Sequence, residues 1–335
     1  MRGKNMNGWQ AVFAEYPALR TVWDIVCVVA PLSMLLSFSG IFFISSVAKI
    51  FSITRKRIIF DKLAKQLAFL GIILGWILLV GSRATLYLGK EGLNAAPLEN
   101  FMFETSWMLL SMGVLLSTIY FSLWKVLKNM PVFHTTIGVI SATQNCLSLV
   151  CILATLRLYA FPAKTGSVEV LIPDLFPAVW DDPLWTAACV TASLAFGLAG
   201  AFGSAWLCLR RKREDFGRDY YNRMIPWCAA WARNAWLLLL LILIFSFARE
   251  LWLNHESAAL DPRSLIFAAC QILFWLIPAL LWTFVHRSKV AVRHRWALYI
   301  ALIIAISYAL PYYLEICALP PLDILPVATE SNPAR

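Results

Sequence analysis

The chain consists of long runs of apolar residues separated by short polar connections. Eight runs reach about 20 residues or more, the length that an α-helix needs to cross the hydrocarbon core of a bilayer. The clearest lies between Trp236 and Phe247, where Ser246 is the one polar residue. The pattern predicts membrane spans at approximately 22–48, 63–88, 104–127, 135–160, 185–209, 225–252, 265–286 and 294–315.

These runs predict an all-α fold, a polytopic integral membrane bundle of about eight helices that forms one domain over residues 1–335. The longest connections have about 20 residues, so we expect no soluble domain. The first run is longer than the apolar core of a signal peptide, and no small-residue cleavage site follows it. The proline-rich segment 316–335 is expected to form an extended tail.

Basic residues alternate along the connections and so predict an orientation. The first, third, fifth and seventh connections are basic, and the fifth, residues 210–223, contains six arginines and lysines. The loop at 162–183 instead has one lysine and four acidic residues. Because basic loops stay on the cytoplasmic side, we expect the odd connections inside and both termini outside. The predicted location is the cytoplasmic (inner) membrane of a bacterium.

Composition agrees with a membrane protein and excludes other classes. Apolar residues make up 60% of the chain and charged residues 14%, against roughly 25% charged in soluble domains. The net charge of +10 follows from the loops and does not indicate nucleic acid; the lipid bilayer is the expected environment. The eight cysteines form no CxxC pair and fall mostly in apolar runs, so no metal centre is predicted.

Several ionisable residues lie near the predicted outer ends of the spans. Glu104, Glu99, Arg83 and Arg157 form the candidate catalytic set, an outer-side site for quinone or proton transfer. Glu104 is the strongest member, because it lies about one turn inside an apolar helix. The alternative is that these groups are interfacial side chains that pair with one another at helix ends.

Polar residues within the spans are rarer. Gln144 and Asn145 lie well inside the fourth span, and Glu250 lies near the end of the sixth; these three are the candidate cofactor-binding positions. The alternative for the amides is that they join neighbouring helices by hydrogen bonds. Glycines at helical spacing, such as Gly197 and Gly200, predict close helix packing.

Haem b is not expected, because the four histidines lie outside the middle of the spans. A haem inside a helical bundle normally takes axial His or Met ligands from the helices. One haem near the cytoplasmic face, held by two of His134, His286 and His294 or by one of them and a methionine, is the alternative left open.

Four segments carry a resemblance to a known family. They read "FDKLAKQLAFLGIILGW", "APLENFMFETSWMLL", "ISATQNCLSLVCILATLRLYAFP" and "GSAWLCLRRKREDFGRDYYNRM". Together, over residues 30–225, the chain resembles the N-terminal part of subunit I of cytochrome bd-type quinol oxidases. In that family an acidic residue lies in an apolar "FxxES"-like entry to the third helix, and the resemblance places Glu104 there. Glu99 would correspond to a second acid, at a different spacing.

The departures from the family concern haem. Its axial histidine near the start of the first helix has no counterpart in "TVWDIVCVVAPLSMLL", and the histidine that opens its fifth helix is replaced around Ala187. The resemblance therefore implies a member that has lost haem ligation. It would act as a partner subunit or a quinone-site scaffold rather than as an oxidase.

The function predicted from the sequence is that of a membrane subunit of a respiratory or redox complex. It would interact with quinone or anchor catalytic partners, such as a cytochrome or an iron–sulfur protein, without a haem of its own. Two alternatives remain open: a transporter of small solutes or ions, and a membrane scaffold or biogenesis protein. Transporters often contain inverted repeats and broken helices, and neither is evident in the sequence.

Overall fold

The computed structural model describes residues 17–88, 97–160, 183–214, 216–253 and 262–317, and the regular structure within these ranges is entirely helical. The prediction of an all-α protein is confirmed for these residues. The long helices are α1 (Pro17–Thr54), α2 (Ile58–Leu88), α3 (Pro97–Ser122), α4 (Pro131–Ala160), α5 (Pro183–Arg210), α6 (Arg218–Leu253), α7 (Pro262–Arg287) and α8 (Arg295–Cys317).

Six helices contain apolar stretches long enough to cross a membrane, counted over the residues that the structure describes. These stretches have 19 to 29 residues and a mean hydropathy of 1.3 to 2.1. The chain is therefore a multi-pass membrane protein. The stretches are Val29–Thr54, Ile58–Ala84, Glu104–Ser122, Pro131–Leu153, Leu184–Arg210 and Arg218–Ser246.

Proline marks many of the helix starts. The first residue of α1, α3, α4, α5 and α7 is proline. The backbone N–H at the first position of a helix has no intrahelical acceptor, so proline, which lacks this N–H, loses no hydrogen bond there. Its fixed φ also suits the helix. Gly217 precedes α6 with a φ of +87°, a value that residues with a Cβ rarely adopt, so it allows the sharp turn into that helix.

Helix α1 lies at the centre of the bundle and contacts α2, α4, α5 and α8. Helix α5 packs against α6 so closely that a Cβ at Gly200 would lie 2.6 Å from the backbone nitrogen of Ala232. The prediction of close packing at this glycine is confirmed. Small residues allow the two backbones to approach this closely. In a bilayer the hydrophobic effect does not drive helices together, so the van der Waals contacts of such an approach stabilise the helix pair.

Two helix boundaries differ from the apolar runs. Helix α3 ends at Ser122, and a turn followed by a 3₁₀ helix (Val126–Asn129) replaces the continuation that was predicted to residue 127. Helix α6 begins at Arg218 rather than near 225. Its polar first turn remains helical because Tyr220 and Tyr221 are buried against neighbouring elements, a contact that hydropathy does not report.

Three connections meet at one end of the bundle, which we call the basic end. They are residues 55–57, 123–130 and 211–217, and they surround a common cavity. Helix α2 begins at the basic end and α3 ends there. The last turns of α2 and the first turns of α3 therefore lie at the opposite end. Charged residues therefore form two separate groups, one at each end.

Candidate functional site

At the opposite end, Arg83 on α2 and Glu104 on α3 form an ion pair. The guanidinium Nη1 lies 3.0 Å from one carboxylate oxygen of Glu104 and 3.2 Å from the other. The guanidinium carbon also lies 4.8 Å from the centre of the Trp107 ring. The structure thus brings together two of the predicted site residues and adds an aromatic face that was not predicted. We call Arg83, Glu104 and Trp107 the outer cluster.

The outer cluster is open to its surroundings. The side chain of Arg83 is 36% exposed and that of Glu104 is 58% exposed. An ion pair with this exposure contributes about 0–1 kcal/mol to stability, because water or lipid headgroups can solvate each partner separately. Its charged groups are therefore accessible to a ligand at modest energetic cost.

Three predicted site residues lie outside the side chains that the structure describes. Glu99 belongs to α3, Arg157 to α4 and Glu250 to α6. Their proposed membership of the outer site remains a prediction.

The two amides of α4 join that helix to α3. Gln144 Nε2 donates a hydrogen bond to the carbonyl oxygen of Leu109 (3.3 Å), and Asn145 Nδ2 donates one to Ser117 Oγ (3.2 Å). Ser117 Oγ also lies 2.8 Å from Ser141 Oγ. A buried polar chain of this kind holds two helices in one register, which is the helix-joining alternative stated for these amides.

The basic end contains a cavity of about 790 Å³, a volume typical of ligand sites. Seven cationic side chains and two carboxylates line it, together with five aromatic side chains. The cations are Lys49, Lys56, Lys62, Lys65, Lys125, Lys128 and Arg210. The carboxylates are Asp61 and Glu214, and the aromatic residues are Phe69, Phe121, Trp124, Trp206 and Phe216.

Asp61 is neutralised inside this cavity by Lys49. The Lys49 ammonium forms an ion pair with Asp61 and lies 4.6 Å from the centre of the Trp124 ring. Trp124 Nε1 donates a hydrogen bond to the second carboxylate oxygen of Asp61 (3.3 Å). The Lys49 side chain is only 9% exposed, so this carboxylate and this ring take the place of water around its ammonium group.

Glu214 is neutralised in a second network that also lines the cavity. It forms an ion pair with Arg210 and accepts a hydrogen bond of 2.6 Å from Gln66 Nε2. Gln66 Oε1 in turn accepts a hydrogen bond of 2.7 Å from the Tyr220 hydroxyl. The network fastens the α5–α6 connection to α2, across about 150 positions of sequence.

The remaining five lysines of the cavity have no carboxylate within ion-pair distance among the described residues. Lys62 packs its ammonium 4.6 Å from the centre of the Phe216 ring. The cavity therefore has an excess of positive charge that its own acidic residues do not balance.

Two of the histidines on the basic side contact backbone carbonyl groups. His134 Nε2 lies 2.9 Å from the Tyr120 carbonyl oxygen, and its ring stacks on Tyr120. His286 Nδ1 lies 3.1 Å from the carbonyl oxygen of Pro226. Within the ranges described above, no three His, Cys, Asp or Glu side chains are grouped as a metal site.

Comparison with models of known protein families gives no match, and comparison with curated proteins gives none either. The resemblance to cytochrome bd-type oxidases therefore remains a hypothesis from the sequence.

Sequence reasoning missed the cavity. The basic residues that line it were used only to orient the helices, and Lys49, Asp61 and Glu214 were not considered together. Two aromatic residues that contact lysines of the cavity, Trp124 and Phe216, were visible in the sequence of its connections. They could not be interpreted without knowing that residues 61 and 214 lie at the same end of the bundle.

Proposed function

We propose that the protein is a membrane subunit of a respiratory or redox complex that handles quinone at the outer cluster. It would also anchor catalytic partner subunits, such as a cytochrome or an iron–sulfur protein. The observation that supports this proposal is the arrangement of Arg83, Glu104 and Trp107, which combines a cation, a carboxylate and an aromatic face at one accessible place.

Each member of the cluster has a role in this proposal. The Trp107 ring offers a face on which a quinone ring can stack. Arg83 can donate a hydrogen bond to a quinone carbonyl oxygen. Oxidation of a quinol releases two protons and two electrons; Glu104 accepts one proton, water at this exposed site accepts the other, and the electrons pass to the redox partner subunit.

The proposed topology has eight spans in a bacterial inner membrane. Helices α7 and α8 have 26 and 23 residues and are apolar over most of their length, so they add two spans to the six described above. An even number of spans puts both termini on one side. With the basic end in the cytoplasm, the termini and the outer cluster lie on the periplasmic side.

Quinone content tests the role of Glu104. The protein is purified in mild detergent together with its native partners, and bound quinone is extracted and measured by chromatography. We expect Glu104→Gln to reduce bound quinone about tenfold, because the amide cannot accept the proton and binds Arg83 less strongly.

Asp219→Asn is the matched control, since Asp219 is an exposed carboxylate at the other end of the bundle. It should retain the quinone content of the wild type. A wild-type protein that contains no quinone, or a Glu104→Gln variant that retains all of it, would overturn the proposal.

A further inference from the structure

We infer that the cavity at the basic end binds a phosphate ester, carried either by an anionic phospholipid headgroup or by a soluble phosphorylated molecule. This inference is independent of the proposed function, because it concerns the other end of the bundle and other residues.

The charges around the cavity favour an anionic ligand. Lys49 neutralises Asp61 and Arg210 neutralises Glu214, which leaves five lysines around one cavity. Like charges gathered around a concave surface repel one another, and low-dielectric walls strengthen their combined field. A bound anion relieves this repulsion, and a phosphate offers several acceptor oxygens that more than one ammonium can reach at once.

The retention of basic residues in the cytoplasm does not by itself explain the cavity. That rule requires basic residues in the loops but not around a common space. The seventh connection meets the rule with Lys289 and Arg293, which are exposed and do not line the cavity. The lysines of the cavity come instead from two connections, 55–57 and 123–130, and from the adjoining ends of α1 and α2, so the fold gathers them in one place.

Aromatic side chains form part of the cavity wall. Phe69 lies between Phe121 and Trp206, with ring centres at 5.6 and 6.1 Å respectively. The Arg210 guanidinium lies over Phe69 and Trp206, at 5.1 and 5.4 Å from their centres. Cations beside aromatic side chains at the end of membrane-spanning helices are suited to bind an amphiphile. Its phosphate would contact the lysines, and its glycerol and first acyl carbons would contact the rings. Basic pockets between membrane helices are known to bind acidic lipids in this way.

The test measures which lipids the purified protein retains. The wild-type protein is placed in nanodiscs of phosphatidylcholine with a minority of phosphatidylglycerol, released into detergent, and its bound lipids are counted by native mass spectrometry. We expect enrichment of phosphatidylglycerol over its share of the bilayer. Lys65→Gln with Lys128→Gln should weaken this enrichment at least about tenfold, since each lysine near an anionic surface contributes about fivefold.

The matched control is Lys289→Gln with Arg293→Gln, which removes the same charge from basic positions outside the cavity. It should retain the enrichment. Both double variants change exposed side chains, and a thermal unfolding profile shows whether each remains folded. If the cavity variant unfolds, the single variant Lys128→Gln replaces it, with an expected loss of about fivefold.

A second measurement distinguishes the source of the phosphate. Glycerol 3-phosphate and inorganic phosphate are titrated into the delipidated protein by calorimetry. Lipid enrichment without binding of these soluble probes assigns the site to a phospholipid, and binding without enrichment assigns it to a soluble phosphate ester. Neither effect in the wild type, or equal losses in the cavity and control variants, would overturn the inference.

Discussion

The two ends of the bundle use the same kinds of residues in opposite ways. At the outer cluster one arginine meets one carboxylate beside a tryptophan, and both charged side chains are substantially exposed. At the basic end a lysine also meets a carboxylate beside a tryptophan, but the Lys49 side chain is 9% exposed. The first pair is accessible and weak, whereas the second lines a cavity and has a largely buried lysine.

Exposure decides what each pair can do. An exposed pair is separated at little cost, so a ligand can compete for Arg83 or Glu104. The Lys49–Asp61 pair is less exposed, with 9% of the Lys49 side chain and 31% of the Asp61 side chain accessible, so removal of the carboxylate leaves a largely buried charge without its counterion. This contrast supports the proposed exchange of ligands and protons at the outer pair, and we expect a structural role for the Lys49–Asp61 pair.

The largest difference between the ends is expected in stability. Asp61→Asn leaves the Lys49 ammonium enclosed without its carboxylate, and we expect it to lower the free energy of unfolding by about 3 kcal/mol. Glu104→Gln at the outer cluster should lower it by less than about 1 kcal/mol. Denaturation in mixed detergent micelles measures both values.

A double variant separates loss of charge from loss of shape. Lys49→Met with Asp61→Leu removes both charges and should recover most of the stability that Asp61→Asn loses, because apolar side chains can replace an enclosed pair. Equal losses for Asp61→Asn and Glu104→Gln would contradict the contrast between the two ends.

A smaller effect is expected from exchanging the partners of the outer pair. Arg83→Glu with Glu104→Arg keeps an ion pair between α2 and α3, so stability should stay within about 0.5 kcal/mol of the wild type. Bound quinone should nevertheless fall as far as in Glu104→Gln, since the donor and the proton acceptor have changed places. Normal quinone content in this variant would show that the pair only joins the helices.

The sequence predicted the helices well because apolar length and basic connections are local signals. It also singled out Arg83 and Glu104, since each interrupts an apolar run. For Gln144 and Asn145 it left two interpretations open, and both amides donate hydrogen bonds to α3, as the helix-joining interpretation expects. The end of α3 at Ser122 was missed, because the apolar residues that follow resemble a continuing helix.

The cavity could not be predicted for a different reason. Gln66 and Glu214 are in contact, yet they are separated by about 150 positions and belong to different helices and connections. Hydropathy shows that each lies near a helix end but not which helix ends are neighbours. That information comes from the packing of α2, α5 and α6, for example at Gly203 of α5, where an added Cβ would meet Leu67 of α2 and Cys228 of α6.

The orientation of the bundle underlies the assignment of its two ends to different roles. A green fluorescent protein and an alkaline phosphatase are each fused to the C-terminus, and each is inserted separately at Lys212, in the exposed turn of the basic end. We predict fluorescence with an inactive phosphatase at Lys212, and an active phosphatase without fluorescence at the C-terminus. Phosphatase activity at Lys212, or fluorescence at the C-terminus, would contradict a cytoplasmic basic end and a periplasmic outer cluster.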